Sequence, residues 1–136
     1  MTKKIKILIA EDDKSIRELY AFKLEKSGFE VFTAEDGGKG WDLAKKEQPD
    51  IILLDIMMPV MNGFEVLKKL RKDKETENIP VVVLSNFGEI DQMTEGFVAG
   101  ATDYLIKAEH TPTDVLDIVN DTLSNQGNIA GVAFKE

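Results

Sequence analysis

The chain has 136 residues, 43% hydrophobic and 31% charged, with no cysteine and a formal net charge of −8. That length suits one domain with a single core, and the missing cysteine excludes a disulfide frame, a thiolate nucleophile and a zinc–thiolate site. No apolar run approaches the roughly 18 residues of a membrane span, and the acidic balance argues against a domain that holds a nucleic-acid backbone by itself; it suits a cation or a basic partner surface, and also plain solubility.

The N-terminus is basic and then apolar, but Glu11 and Asp12 interrupt the apolar run too early for a signal peptide. A cytoplasmic protein without membrane contact is expected. Lys4 to Ala10 reads as the first strand, followed by the acidic triplet Glu11-Asp12-Asp13. Ser15 to Ser27 reads as a helix, because Ile16, Leu19, Tyr20 and Leu24 form one stripe at a 3.6-residue period. Asp13 is a helix-start acid, and Gly28 stands where a helix end wants positive φ. Val31 to Ala34 is a short second strand, near an edge because Glu30 and Thr33 break its hydrophobicity. Asp36-Gly37-Gly38 reads as a turn and Gly40 to Glu47 as the second helix, with Trp41 packing on the sheet.

Ile51-Ile52-Leu53-Leu54 and Val81-Val82-Val83-Leu84 are unbroken apolar runs, as in parallel strands buried on both faces. The first ends on Asp55 and the second on Ser85. Between them lie the loop Met57 to Gly63, a third helix with Phe64, Leu67 and Leu70, and a polar, solvated connection from Lys72 to Asn78. Pro80 starts the fourth strand. A fourth helix is expected over Ile90 to Ala99, ended by Gly100, and a fifth strand over Asp103 to Ile106. Thr111-Pro112-Thr113-Asp114 starts a last helix, with a hydroxyl cap, Pro at N1 and an acid at N3, that ends near Ser124.

Five strands alternating with five helices imply an α/β, doubly wound, five-stranded parallel sheet of flavodoxin-like (βα)5 type, with helices on both faces. The domain spans residues 1–124, with 125–136 as a tail. In strand order 2-1-3-4-5, Glu11 and Asp12 meet Asp55 at the C-terminal edge, where open α/β sheets bind ligands. Crowded carboxylates repel, and a hard divalent cation resolves the repulsion. Mg²⁺ (or Mn²⁺) takes oxygen ligands and keeps several waters. Asp12 and Asp55 are the expected direct ligands, with Glu11 acting through water and a backbone carbonyl from Met57. An ionised Asp beside Mg²⁺ can attack a phosphoryl group and form an aspartyl phosphate. Lys107 and Ser85, at the ends of the last two strands, are placed to meet the phosphoryl oxygens.

Four stretches carry a resemblance: Ile7-Leu8-Ile9-Ala10-Glu11-Asp12-Asp13, Leu54-Asp55-Ile56-Met57-Met58-Pro59-Val60-Met61-Asn62-Gly63, Leu84-Ser85, and Gly100-Ala101-Thr102-Asp103-Tyr104-Leu105-Ile106-Lys107. In this order and at strand ends, they resemble the receiver domain of two-component response regulators, over roughly residues 4 to 124. The resemblance implies that Asp55 accepts phosphate from a sensor histidine kinase or a histidine phosphotransfer protein. Glu11 and Asp12 then hold Mg²⁺ and Lys107 contacts the phosphoryl group. Ser85 and Tyr104 act as switch residues, and the face of the fourth helix, fifth strand and fifth helix changes its downstream partner. Such a chain is not an enzyme toward other molecules; it promotes only its own phosphotransfer and dephosphorylation.

The sequence departs from the family pattern in places. Ala108 follows Lys107 where Pro, often cis, is usual; a non-proline cis bond costs about 2.5–4 kcal/mol, so a trans Lys107–Ala108 bond or a reshaped loop is expected. Asn86 follows Ser85 where a small residue is common, which bears on an attacking water. Gly96, inside the fourth helix, costs about 1 kcal/mol relative to Ala. His110 reads as an exposed loop residue. Three competing functions are weighed. A haloacid-dehalogenase-type phosphatase wants a second Asp where Met57 stands. A flavin carrier would find its phosphate repelled by Glu11-Asp12-Asp13. A receiver-shaped module that is never phosphorylated has no need of the complete acidic set.

Overall fold

Strands β1 (Lys6–Ala10), β2 (Glu30–Ala34), β3 (Ile51–Asp55), β4 (Val81–Ser85) and β5 (Asp103–Ile106) form one parallel sheet in the order β2-β1-β3-β4-β5. A computed structural model describes residues 3–86, 94, 99–107 and 110–127 of the chain. Helices α1 (Lys14–Lys26), α2 (Gly37–Glu47) and α3 (Gly63–Lys72) link the first strands, and α4 (Pro112–Gly127) follows β5. The helix expected over Ile90 to Ala99, with its Gly96, lies outside the described residues apart from Thr94 and Ala99. So does residue 108, and with it the Lys107–Ala108 bond. Among the described residues no helix is long and apolar enough to cross a membrane.

The pleat sorts the sheet's side chains between two cores, because alternate residues of a strand face opposite ways. Leu8, Ala10, Ile52, Leu54, Val81, Val83 and Tyr104 pack with Ala44 of α2 and Phe64, Val66, Leu67 and Leu70 of α3. Ile7, Ile9, Ile51, Leu53, Val82, Leu84 and Leu105 pack with Tyr20 and Leu24 of α1 and Val115 and Val119 of α4. Every residue of β3 and β4 is buried, so the apolar runs belong to central strands covered on both sides. β2 is an edge strand, with Glu30 and Thr33 exposed.

Several expectations need adjusting. α2 begins at Gly37, not Gly40: the Asp36 side chain caps it by accepting from the Lys39 N–H at 2.8 Å. A Cβ on Gly37 would collide with the Met61 carbonyl, so this helix start requires glycine. The connection from Lys72 to Asn78 is not wholly solvated. Thr76 is buried, and its hydroxyl donates to the Leu70 carbonyl at 2.7 Å to close the end of α3. Pro80 precedes β4 rather than joining it, although its carbonyl accepts from the Ile52 N–H. The last helix runs on to Gly127, beyond Ser124. Trp41 is only partly buried; it packs on the α2–α3 core with the Lys45 and Lys69 ammonium groups over its ring.

Candidate functional site

Four strands carry polar residues at their C-terminal ends, on one edge of the sheet. Glu11 follows β1, Asp55 ends β3, Ser85 ends β4 and Lys107 follows β5. Continuing the pleat, Glu11, Asp55 and Lys107 share the parity of Ile9, Leu53 and Leu105, the residues facing α1 and α4. Ser85 and Tyr104 share the parity of Val83, facing α2 and α3, and Val83 and Tyr104 are register partners.

The first group is in contact. The Lys107 ammonium lies 2.8 Å from Glu11 Oε1 and 3.3 Å from Asp55 Oδ1. All three are buried: Glu11 is 0% exposed, Asp55 2% and Lys107 8%. The second Glu11 oxygen accepts from the Asp13 N–H at 3.0 Å. Asp12 is exposed beside them, and one carboxylate oxygen from each of Glu11, Asp12 and Asp55 lies within 4.8 Å of the others. Of the expected site residues, the acids and Lys107 thus converge. Met57 lies in the loop two residues past Asp55 with its side chain exposed. Ser85 is buried one register step from the Asp55–Leu84 pair, and Tyr104 is buried in the α2–α3 core.

Burial first, then the neighbouring Glu11 charge, push the Asp55 carboxyl up to about 8, against the pull of Lys107. Burial alone would lower the Lys107 ammonium, but the hydrogen bond it donates to Glu11 and the charges of Asp55 and Glu11 outweigh it and hold the pKa above its ordinary value. One cation thus faces three acids. The remaining repulsion, and an all-oxygen donor set open through exposed Asp12, fit a hard divalent cation. Both Glu11 oxygens are engaged by protein donors, one by Lys107 and one by the Asp13 N–H.

The surrounding loops are tied down. Asp13 caps α1, its Oδ1 accepting from the Ile16 N–H at 3.0 Å. Asn62 and Glu65 form a reciprocal capping box at the start of α3. The Gly63 N–H donates to the Ile56 carbonyl at 2.8 Å, and a Cβ there would collide with the Asp55 carbonyl, so glycine lets α3 start directly against β3. Val60 has φ 72°, a strained value for a β-branched residue. Thr111 and Asp114 cap α4 reciprocally. His110 is exposed, its ring Nδ1 2.7 Å from the Ile106 carbonyl, and Asn86 is exposed beside the site.

Two contributors are absent from the sequence reading. Arg17 donates to the Glu11 and Asp12 carbonyls. Tyr20 is buried, and its hydroxyl is held above its ordinary value by burial first and by the Glu11 and Asp55 charges, against the pull of Lys107. A cation in the first turn of α1, the end that favours anions, is a readable signal for Arg17; the stripe Ile16-Leu19-Tyr20-Leu24 marks Tyr20 only as core, and Leu19 of that stripe is in fact exposed.

This arrangement has close counterparts. The family model described as the response regulator receiver domain matches residues 7–120. The chain belongs to that family, whose members act in two-component signalling. RpaA of Synechocystis sp., described as a DNA-binding dual master transcriptional regulator, is 44% identical over 114 residues, 84% of this chain but 46% of RpaA. The chain thus spans less than half the length of that relative. PilH of Pseudomonas aeruginosa is 39% identical over 119 residues, 88% of this chain and 98% of PilH. Among solved structures, the chemotaxis response regulator CheY4 of Vibrio cholerae superposes with a TM-score of 0.83 at 32% identity, covering 88% of this chain and 99% of that one. A CheY-like receiver domain from Methanospirillum hungatei reaches 0.86 at 28% identity, covering 93% and 99%.

Proposed function

We propose that this receiver domain accepts a phosphoryl group on Asp55 from a phosphohistidine of a sensor histidine kinase or histidine phosphotransfer protein, with Mg²⁺ (or Mn²⁺) bound at the acidic cluster. The observation that carries the reading is the convergence of the Glu11, Asp12 and Asp55 oxygens within 4.8 Å, with the Lys107 ammonium on two of them. Asp12 and Asp55 would bind the cation directly, Glu11 through water, and Met57 by its carbonyl. When bound, the cation neutralises the acids and a phosphoryl oxygen.

The chain's own residues supply the rest. An ionised Asp55 oxygen forms the new O–P bond as the N–P bond to the imidazole breaks, and the imidazole leaves with the electron pair. Lys107 keeps Asp55 in place beforehand and then stabilises a phosphoryl oxygen. Ser85 is the hydroxyl at the neighbouring strand end, and Tyr104 the aromatic in register with the strand that carries it. Their rearrangement would pass the new charge to the face of β5 and the flanking helices, changing the binding of a downstream protein. The domain is no enzyme toward other molecules, works in the cytoplasm, and at net charge −8 binds no nucleic acid by itself.

Incubation with acetyl phosphate and Mg²⁺ tests this. Wild type should gain one phosphoryl group, removed by hydroxylamine, and Asp55→Asn should gain none. Equal labelling of the two proteins would defeat the assignment.

A further inference from the structure

We infer that Arg17 is a positioning residue for the cation site, fixing the backbone on both sides of Asp12; this rests on the cation-binding reading proposed above. Asp12 is the exposed member of the acid cluster, and among the described residues no cation pairs with its carboxylate. Its two neighbours have their own restraints: Glu11 is held by Lys107 and the Asp13 N–H, and Asp13 by the Ile16 N–H. Arg17 is the side chain that grips the backbone of Asp12 on both sides. Its Nη1 donates to the Glu11 carbonyl at 2.9 Å and to the Asp12 carbonyl at 3.3 Å. Those oxygens belong to the two peptide units that flank the Asp12 α-carbon. Fixing both planes fixes the direction in which the Asp12 side chain leaves the chain.

The placement has a cost that sharpens the inference. A cation in the first turn of a helix opposes the helix dipole, and the only acid at this end of α1 is its cap, Asp13, which is already engaged by the Ile16 N–H. A positive charge near a cation site also weakens that site by repulsion. Charge alone therefore predicts that Arg17 disfavours the metal, whereas positioning predicts that it favours it. The two accounts differ in sign, and substitution can separate them.

Titration with Mg²⁺ alone, followed by calorimetry, makes the test on wild type, Arg17→Lys and Arg17→Gln. Positioning of a ligand by an outer partner is worth about 10- to 100-fold in metal affinity. Both variants should bind Mg²⁺ at least about tenfold more weakly, the lysine variant despite its retained charge. At saturating Mg²⁺, labelling of Asp55 by acetyl phosphate should return to near the wild-type rate in Arg17→Lys, and its unfolding midpoint in EDTA should match wild type. An unchanged affinity in Arg17→Lys with a tighter one in Arg17→Gln would overturn the inference in favour of charge alone. A labelling rate that stays low at saturating Mg²⁺ would overturn it in favour of general distortion. A wild type that takes up no Mg²⁺ would instead defeat the cation-binding reading itself.

Discussion

Two lysines in this molecule each hold two carboxylates, and they behave in opposite ways. Lys45 of α2 meets Asp73 at 2.6 Å and Glu75 at 3.0 Å on the surface, with side chains 35%, 25% and 65% exposed. Lys107 meets Glu11 at 2.8 Å and Asp55 at 3.3 Å, with side chains 5%, 0% and 3% exposed. In the surface triad the hydrogen bond from Lys45 holds Asp73 below the ordinary carboxylate range. In the buried triad Asp55 is pushed far above it, because lost hydration and the Glu11 charge outweigh a single lysine. The same three kinds of charged group, one Lys, one Asp and one Glu, thus make a relaxed triad in water and a frustrated one in the interior. Under the proposed function this frustration is what a second cation and then a phosphoryl group would relieve.

Removing Lys107 should have the largest effect. Lys107→Ala leaves Glu11 and Asp55 buried without a counter-charge, a change worth about 3–5 kcal/mol of stability in a buried pair. Urea unfolding should show most of this loss at pH 8 and less at pH 5, where Asp55 already holds its proton in both proteins and only Glu11 loses its counter-charge. Asp55 labelling by acetyl phosphate should also fall by about a hundredfold, since a donor to the transferring group is gone. If the variant is as stable as wild type at pH 8, the buried triad is not frustrated.

The next test is the pH profile of the metal-free chain. The folded Asp55 carboxyl titrates at about 8, above its ordinary 3.8, so the native state holds a proton that the unfolded chain releases earlier. The stability this contributes is fully present below about pH 4 and is lost as pH rises through about 8. The slope reaches at most about 1.4 kcal/mol per pH unit. Unfolding in EDTA at a series of pH values should show this decline, and Asp55→Asn should flatten it. A wild-type curve that rises across this window would mean that Lys107 wins over Glu11 and burial.

What the sequence revealed divides along the same line. The apolar runs before Asp55 and Ser85 were plain because central parallel strands must be apolar on both faces, and a polar residue at their end has few structural uses. The strand order then brought Glu11, Asp12 and Asp55 together. Hidden from view was solvent: composition gives no hint that Glu11 is buried outright and bonded to Lys107 while its neighbour Asp12 is exposed. Pleat alternation within each strand puts Glu11 on the face of Ile9, Asp55 on that of Leu53 and Lys107 on that of Leu105, but grouping the three faces needs the register between strands. The sequence places the start of α2 at Gly40 because Gly37-Gly38 has turn chemistry, and the deciding contact with the Met61 backbone is tertiary. Thr76 looked like a loop hydroxyl because only the folded chain returns it to the Leu70 carbonyl.

Adding Mg²⁺ should narrow the contrast between the triads by relieving the buried one. The cation must displace the Asp55 proton, so its apparent affinity should rise with pH up to about 8 and then level off. At about 100 times its dissociation constant it should raise stability by about 2.7 kcal/mol. Thermal melts with and without Mg²⁺ at pH 6 and pH 8.5 would measure this; a shift that is larger at pH 6 would argue against a site that includes Asp55.

The smallest effect belongs to the surface triad, and its smallness matters. Lys45→Ala removes as many ionic contacts as Lys107→Ala, two in each case. Exposed pairs are weak and screened by salt. The unfolding midpoint should fall by only about a degree or two at low ionic strength and stay at the wild-type value in high salt. Asp55 labelling should not change, since Lys45 lies on α2 and is bonded to the residues that follow α3, away from the strand ends that carry the site. The lysine also sits over the Trp41 ring at 5.7 Å, so tryptophan fluorescence should register the substitution even where stability does not. If Lys45→Ala instead cost as much as Lys107→Ala, burial would not be what distinguishes the two triads, and the frustration assigned to Asp55 would lose its basis.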